Sequence, residues 1–283
     1  GVLAGPARGL VGPPALGALG CGLATALSMW FMLGCMLVVL WRGATPFPWR
    51  PWQGLDPGAW RRLLGIGLPL GLAIFFESSL FAVVALLVAG YGTTVVAAHQ
   101  VALNVSSVLF MLPLGLGMAL TVRVGHGLGA GGEALAGRRA WHGMALAAGL
   151  GLGLALLMWL CADLWVTLYT PDPEIRALAA SLLVLAAVFQ CSDTIQVNAA
   201  GALRGYCDTR VIMLITLPAY WGVGLGVGFW LGRSPLVPGP LGVHGFWIGL
   251  AAGLTAAALA LTWRLRMRTR RLRQPGFTGI PVR

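Results

Sequence analysis

Seven apolar runs, each long enough to cross a membrane as a helix, decide what this chain can be: about 15–41, 62–89, 94–121, 139–165, 174–200, 210–232 and 241–264. A hydrocarbon core of roughly 30 Å takes about 20 apolar residues at a helical rise of about 1.5 Å each. The runs are continuous rather than alternating, so they read as helices and exclude the strands of a β-barrel. Composition agrees, since only 10% of the 283 residues are charged and mean hydropathy is +0.84, whereas a soluble domain is about a quarter charged. The expected fold is an all-α integral membrane protein with seven transmembrane helices.

Basic residues set the expected orientation. All nineteen are arginine. Sixteen fall on one set of alternate loops and the tail (Arg42, Arg50, Arg61, Arg62, Arg123, Arg138, Arg139, Arg204, Arg210 and seven from Arg264 onward), against three, Arg8, Arg176 and Arg233, on the other. The positive-inside rule then places the C-terminus in the cytoplasm and the N-terminus outside. A net charge of +11 would suggest nucleic acid in a soluble protein. Here topology accounts for most of it, and the tail lacks the aromatic interleaving of a single-strand binder. Anionic lipid head groups are the expected partners of that tail, and no nucleic acid is expected.

Four parts are expected along the chain: a loop and helix at 1–41, a cytoplasmic linker at 42–61, a six-helix lobe at 62–264 and a basic tail at 265–283. The linker holds Pro46, Pro48, Pro51 and Pro57 with Trp49, Trp52 and Trp60; proline ends helices and tryptophan favours the interface. Within the lobe, Arg123–Arg138 reads as a cytoplasmic glycine-rich loop and Asp163–Glu174 as an acidic outer loop. The string Gly125–Gly132 is no phosphate cradle, because it follows a membrane helix and lacks the Lys-Ser/Thr ending. Cys21, Cys35, Cys161, Cys191 and Cys207 show no metal or redox spacing. The start, Gly1–Pro14, has no Met, basic n-region or cleavage site, and reads as a chain entered in its middle.

Two carboxylates stand inside these runs. One carboxylate near a bilayer centre costs roughly 3 kcal/mol on insertion scales, so it is kept where a partner or a wet cavity receives it. Glu77 follows Pro69 by eight residues and precedes Ser78 and Ser79; the proline can bend the helix and free a carbonyl. Asp193 lies in Phe189–Asn198, where Gln190 and Gln196 fall about 60° to either side of it at 100° per residue. Two amides around an acid suit a cation, since their oxygens can replace hydration water. Gln100, Asn104 and Ser107 recur at helical spacing on the third run and could line the same cavity or act as interhelical glue. His99, beside them, reads as a packed histidine rather than a proton relay.

With these residues placed, the chain resembles the multidrug and toxic compound extrusion (MATE) family, bacterial multidrug-antiporter branch. The resemblance rests on Ala97–Gly117, Thr121–Gly129, Phe189–Thr209 and Gly245–Leu250, which follow the second half of the family's pattern in order. It implies the equivalent of helices six to twelve: the last helix of one lobe, then a six-helix lobe. It also implies export of cationic amphipathic compounds in exchange for Na⁺ or H⁺, with no other cofactor and no enzymatic activity. Glu77 and Asp193 match the family's embedded acids of the seventh and tenth helices and would be ligands if the ion is Na⁺. Gln100 falls where the family has a cavity glutamine. Phe189 stands where related transporters commonly carry tyrosine, so one hydroxyl is missing. The family's first lobe is absent from these residues, which implies a fragment or a half-transporter needing a partner. A lipid-linked precursor flippase would want basic residues in the cavity, and no arginine is expected mid-helix. An intramembrane protease would want paired aspartates or HExxH, and neither pattern is present.

Overall fold

The computed structural model describes residues 17–42, 56–233 and 241–271. Gly1–Pro14, most of the Pro/Trp linker, the side chain of Cys21 and the tail beyond Arg271 lie outside the described residues. The chain divides into two compact units, Gly1–Trp60 and Arg61–Arg283. Within the first lies α1 (Gly17–Trp41), a 25-residue helix whose described side chains are mostly exposed.

The second unit continues α2 (Pro57–Ala89) through α3 (Thr93–Gly129), α4 (Glu133–Leu160), α5 (Ala162–Tyr169), α6 (Pro173–Gly205), α7 (Thr209–Leu217), a π-helical stretch (Pro218–Gly224), α8 (Leu225–Arg233) and α9 (Val243–Arg271). Seven spans are long and apolar enough to cross a membrane, as the sequence predicts, counting α7 to α8 as one. No strand occurs among the described residues. Local chemistry sets the ends. Asp56 Oδ1 accepts from Gly58 N at 2.8 Å ahead of α2, and Asp172 Oδ1 accepts from Glu174 N at 2.9 Å ahead of α6, with Pro173 in the first helical position.

Three expectations need correction. Arg123–Arg138 is not a loop: α3 runs to Gly129 and α4 starts at Glu133. The glycines serve packing, since a Cβ on Gly127 would fall 2.9 Å from Ala136 Cα, and the reversal needs just Ala130–Gly132 with Gly131 at φ +75°. Asp163–Glu174 is likewise mostly helical, because α5 occupies Ala162–Tyr169. Finally, the sixth span is not one regular helix. Its middle, beginning at Pro218, is wound as a π-helix, a local over-wide turn often found at functional sites.

α6 is the centre, packed by α3, α4 and α9. Small residues let backbones meet where lipid offers no hydrophobic drive. A Cβ on Gly201 would lie 2.5 Å from Gly117 O, and Thr121 Oγ1 reaches the carbonyls of both Gly117 (2.9 Å) and Gly201 (2.8 Å). On α9, Gly245, Gly249 and Gly253 lie against Gly232, Gly228 and Gly224 in the same way. On α2, Phe81 meets α6 edge to face at Phe189, with ring centroids 6.1 Å apart.

Candidate coupling and substrate site

Asp193 occupies the middle of α6 and is 6% exposed, flanked by Gln190 at 0% and Gln196 at 4%. All three are buried on the one helix. Asp193 Oδ1, both amide atoms of Gln190 and Gln196 Oε1 are buried without a hydrogen-bond partner. Buried polar atoms are ordinarily paired, so this side of α6 carries acceptors that the protein itself does not satisfy.

A cavity of about 210 Å³ opens beside Asp193, lined by Phe81 of α2, Leu103, Ser106, Ser107 and Phe110 of α3, and Phe189 of α6. Of the residues expected to line a cavity, Ser107 and Phe189 do so with Asp193. Gln190 and Gln196 are buried on α6 and are not in its lining, and Gln100 and Asn104 are exposed on α3 and are not in it either. Phe189 lacks the tyrosine hydroxyl but is 3% exposed and holds an edge-to-face chain together: Phe81 to Phe189 at 6.1 Å, Phe189 to Trp247 at 5.8 Å, Trp247 to His99 at 5.8 Å. His99 is 1% exposed and packed, as expected. Its Nδ1 accepts from Trp247 Nε1 at 3.2 Å.

Glu77 is half-buried on α2, and Arg204 and Tyr220 also bring buried, unpartnered polar atoms into this unit. Two of these were not singled out from sequence. Arg204 reads as a loop arginine, yet it stands in the last turn of α6 with Nε buried and unpartnered, 11 residues beyond Asp193 and so within about 20° of the same helix face. Tyr220 belongs to the π-helical stretch, is 0% exposed and leaves its hydroxyl without a partner. The neighbouring Trp221 Nε1 donates to Phe76 O on α2 at 3.2 Å, tying this stretch to the turn that bears Glu77. The signal available in sequence was Pro218 within an apolar run beside Tyr220 and Trp221.

The arrangement is thus a buried acid on a helix with unsatisfied amide oxygens, a second acid on α2, and an aromatic-walled cavity among α2, α3 and α6. Residues 69–230 match the profile of the family described as MatE. The chain belongs to the MATE family. A multidrug resistance protein, PmpM, of Pseudomonas aeruginosa is 49% identical over 268 residues, covering 93% of this chain and 56% of that protein. The multidrug resistance protein NorM of Photobacterium profundum is 46% identical, covering 91% and 57%. The chain therefore spans a little over half the length of the curated relatives it matches. The MATE fold is shared with solved transporters: a MATE in the straight conformation (TM-score 0.79, 20% identical, 89% of this chain and 56% of that one) and the eukaryotic MATE transporter AtDTX14 (0.68, 20%, 78% and 50%).

Proposed function

We propose that the chain is the C-terminal part of a two-lobe transporter that exports cationic amphipathic drugs and toxic compounds in exchange for Na⁺ or H⁺. The observation that carries this reading is the buried Asp193 carboxylate, opening on an aromatic-lined cavity with its Oδ1 and the neighbouring amide oxygens unpartnered. A carboxylate withdrawn from water does not persist as a bare charge. It holds a proton, a small cation coordinated with the Gln190 and Gln196 oxygens, or a cationic drug lying between Phe81, Phe110 and Phe189. The three compete, so each lowers the others' affinity, and the ion gradient can drive the drug out. Glu77 is the second coupling acid, and Gln100 and Asn104, exposed on α3, face the drug path completed by the other lobe.

Fold alone does not fix the sign of the cavity. One fold neighbour, a MOP superfamily transporter from Pyrococcus furiosus (TM-score 0.67, 18% identical, 74% of this chain and 45% of that one), has a binding pocket of reverse polarity. Here the cavity wall carries an acid, which supports cationic cargo. Arginine counts support a cytoplasmic C-terminus in an inner membrane.

The test is efflux of a cationic dye from a transporter-deficient host carrying the full-length protein or this segment alone. The full-length protein should restore efflux and the segment should not, because alternating access rocks one body against another. Efflux by the segment would instead make it a homodimeric half-transporter. A cysteine at Gly131, in a background without native cysteines, should react with an impermeant reagent from the cytoplasmic face only.

A further inference from the structure

Far from Asp193, the beginning of α4, the α6–α7 turn and the end of α9 come together at the arginine-rich end of the bundle. A groove of about 270 Å³ there is lined by Glu133, Gly137 and Trp141 of α4 and by Arg266, Thr269 and Arg270 of α9. Trp141 is fixed in place, its Nε1 donating to Thr269 Oγ1 at 3.2 Å. Behind Gly137 stands a phenol: a Cβ at that position would lie 3.9 Å from Tyr206 Oη, in ordinary contact. Tyr206 is 5% exposed, and its hydroxyl has no hydrogen-bond partner. Burial pushes its pKa up to about 12, so near neutral pH it is a standing O–H donor beneath the groove. Among the described residues the ion pair found is Arg264 with Asp208, which leaves Arg266 and Arg270, one turn apart, with their guanidinium groups uncommitted.

Two guanidinium forks and a buried phenol are donors for a phosphate, and arginine's planar fork fits it bidentately. Glu133, the one carboxylate in the lining, would meet whatever lies beside that phosphate. Position selects a lipid source. Trp141, 36% exposed, marks the membrane interface, and Trp263, 63% exposed, stands two turns deeper on the same face of α9 as Arg270. Acyl chains leaving the groove would run along that face. We infer that this groove binds the phosphodiester head group of a membrane phospholipid bearing an amine or hydroxyl, with Arg266, Arg270 and Tyr206 on the phosphate and Glu133 on the amine or hydroxyl.

Native mass spectrometry of the full-length protein in detergent tests this, titrating phosphatidylethanolamine, phosphatidylglycerol and phosphatidylcholine, with glycerol phosphate as a separate competitor. The expected result is one adduct with the ethanolamine or glycerol lipid, held about 5-fold or more tighter than phosphatidylcholine, whose head group has no donor for Glu133. R266Q/R270Q should weaken it about 10-fold or more, and Y206F about 3-fold with the melting temperature unchanged, since the lost hydroxyl had no protein partner. Adducts unchanged in both variants, or equal retention of phosphatidylcholine, would overturn the site. Competition by glycerol phosphate at the lipid's own concentration would assign it to a soluble anion and overturn the lipid reading.

Discussion

The two sides of α6 solve opposite problems. One strip, Thr194, Asn198, Gly201 and Gly205, meets α3 and α4 almost backbone to backbone. Thr194 Oγ1 bonds Gln190 O at 2.8 Å, Asn198 Nδ2 bonds Thr194 O at 2.9 Å and Pro113 O at 3.4 Å, and Gly201 presses on Gly117. Every side-chain donor on that strip is used, and Asn198 Oδ1 is its one orphan. On the strip around the corner, Gln190, Asp193, Gln196 and Arg204 all leave buried atoms unpartnered, and the contact with α2 beside Asp193 is a ring on a ring, Phe81 against Phe189. A single helix thus carries a seam whose side-chain donors are all used and a face whose buried polar atoms the protein leaves unsatisfied. The contrast separates residues that hold the fold from residues the fold holds in readiness.

The largest effect should come from emptying the second face of its charge. Asp193→Asn keeps the shape, so in the full-length protein ion-driven dye efflux should fall to background at matched membrane abundance. Glu77→Gln should follow, less completely, because no pair of amides flanks it. If the two acids were protonated structural donors, an amide would replace each of them nearly as well. Wild-type efflux from Asp193→Asn would therefore erase the distinction between the two faces.

The seam should fail by a different route. In Gly201→Ala the new methyl would meet Gly117 O at 2.5 Å, with backbone on both sides and no flexible atom to yield. Overpacking of this kind costs about 1–3 kcal/mol. The expected outcome is a lower melting temperature and less folded protein, with efflux per folded molecule retained. Normal stability with lost efflux would show that the seam moves during transport.

How much of this could be read from the sequence differs between the faces for a physical reason. Charge inside an apolar run is conspicuous, so Glu77 and Asp193 were legible, and the period of 3.6 placed Gln190 and Gln196 beside Asp193. Seven spans were legible from hydropathy alone. The glycine seams were not, because which of 42 glycines meets a partner depends on the register between helices, and Gly125–Gly132 passed for a loop. Arg204 was hidden by its position at a helix end, where arginine normally snorkels to the interface. Tyr220 was hidden because nothing in its run marks a π-helical stretch except Pro218. Gln100 and Asn104 are exposed among the described residues, so their drug-facing reading needs a wall outside them.

A sharper division comes from Gln190→Leu. The amide is fully buried with neither end bonded, so an apolar side chain of similar size should leave stability unchanged or raise it. Efflux should nevertheless drop several-fold if the amide oxygen helps Asp193 hold the coupling ion, on the order of 1 kcal/mol of ion affinity per several-fold change. Lower stability with normal efflux would move Gln190 to the structural side.

The smallest effect is expected at Thr121, and it probes whether the seam is as inert as its geometry suggests. Its hydroxyl has one proton, lying between the carbonyls of Gly117 and Gly201, so Thr121→Val removes one shared donor while leaving the shape in place. Both carbonyls keep their helical partners, and hydrogen bonds between membrane helices average about 0.6 kcal/mol, since alternatives exist in the unfolded state as well. Thermal melting of the detergent-solubilised full-length protein should therefore shift by a small amount, well below the Gly201→Ala change, and dye efflux should match wild type. A loss of efflux at unchanged melting temperature would place Thr121 among the working residues, because only a bond that breaks and re-forms during transport could matter that much while contributing so little to the resting fold.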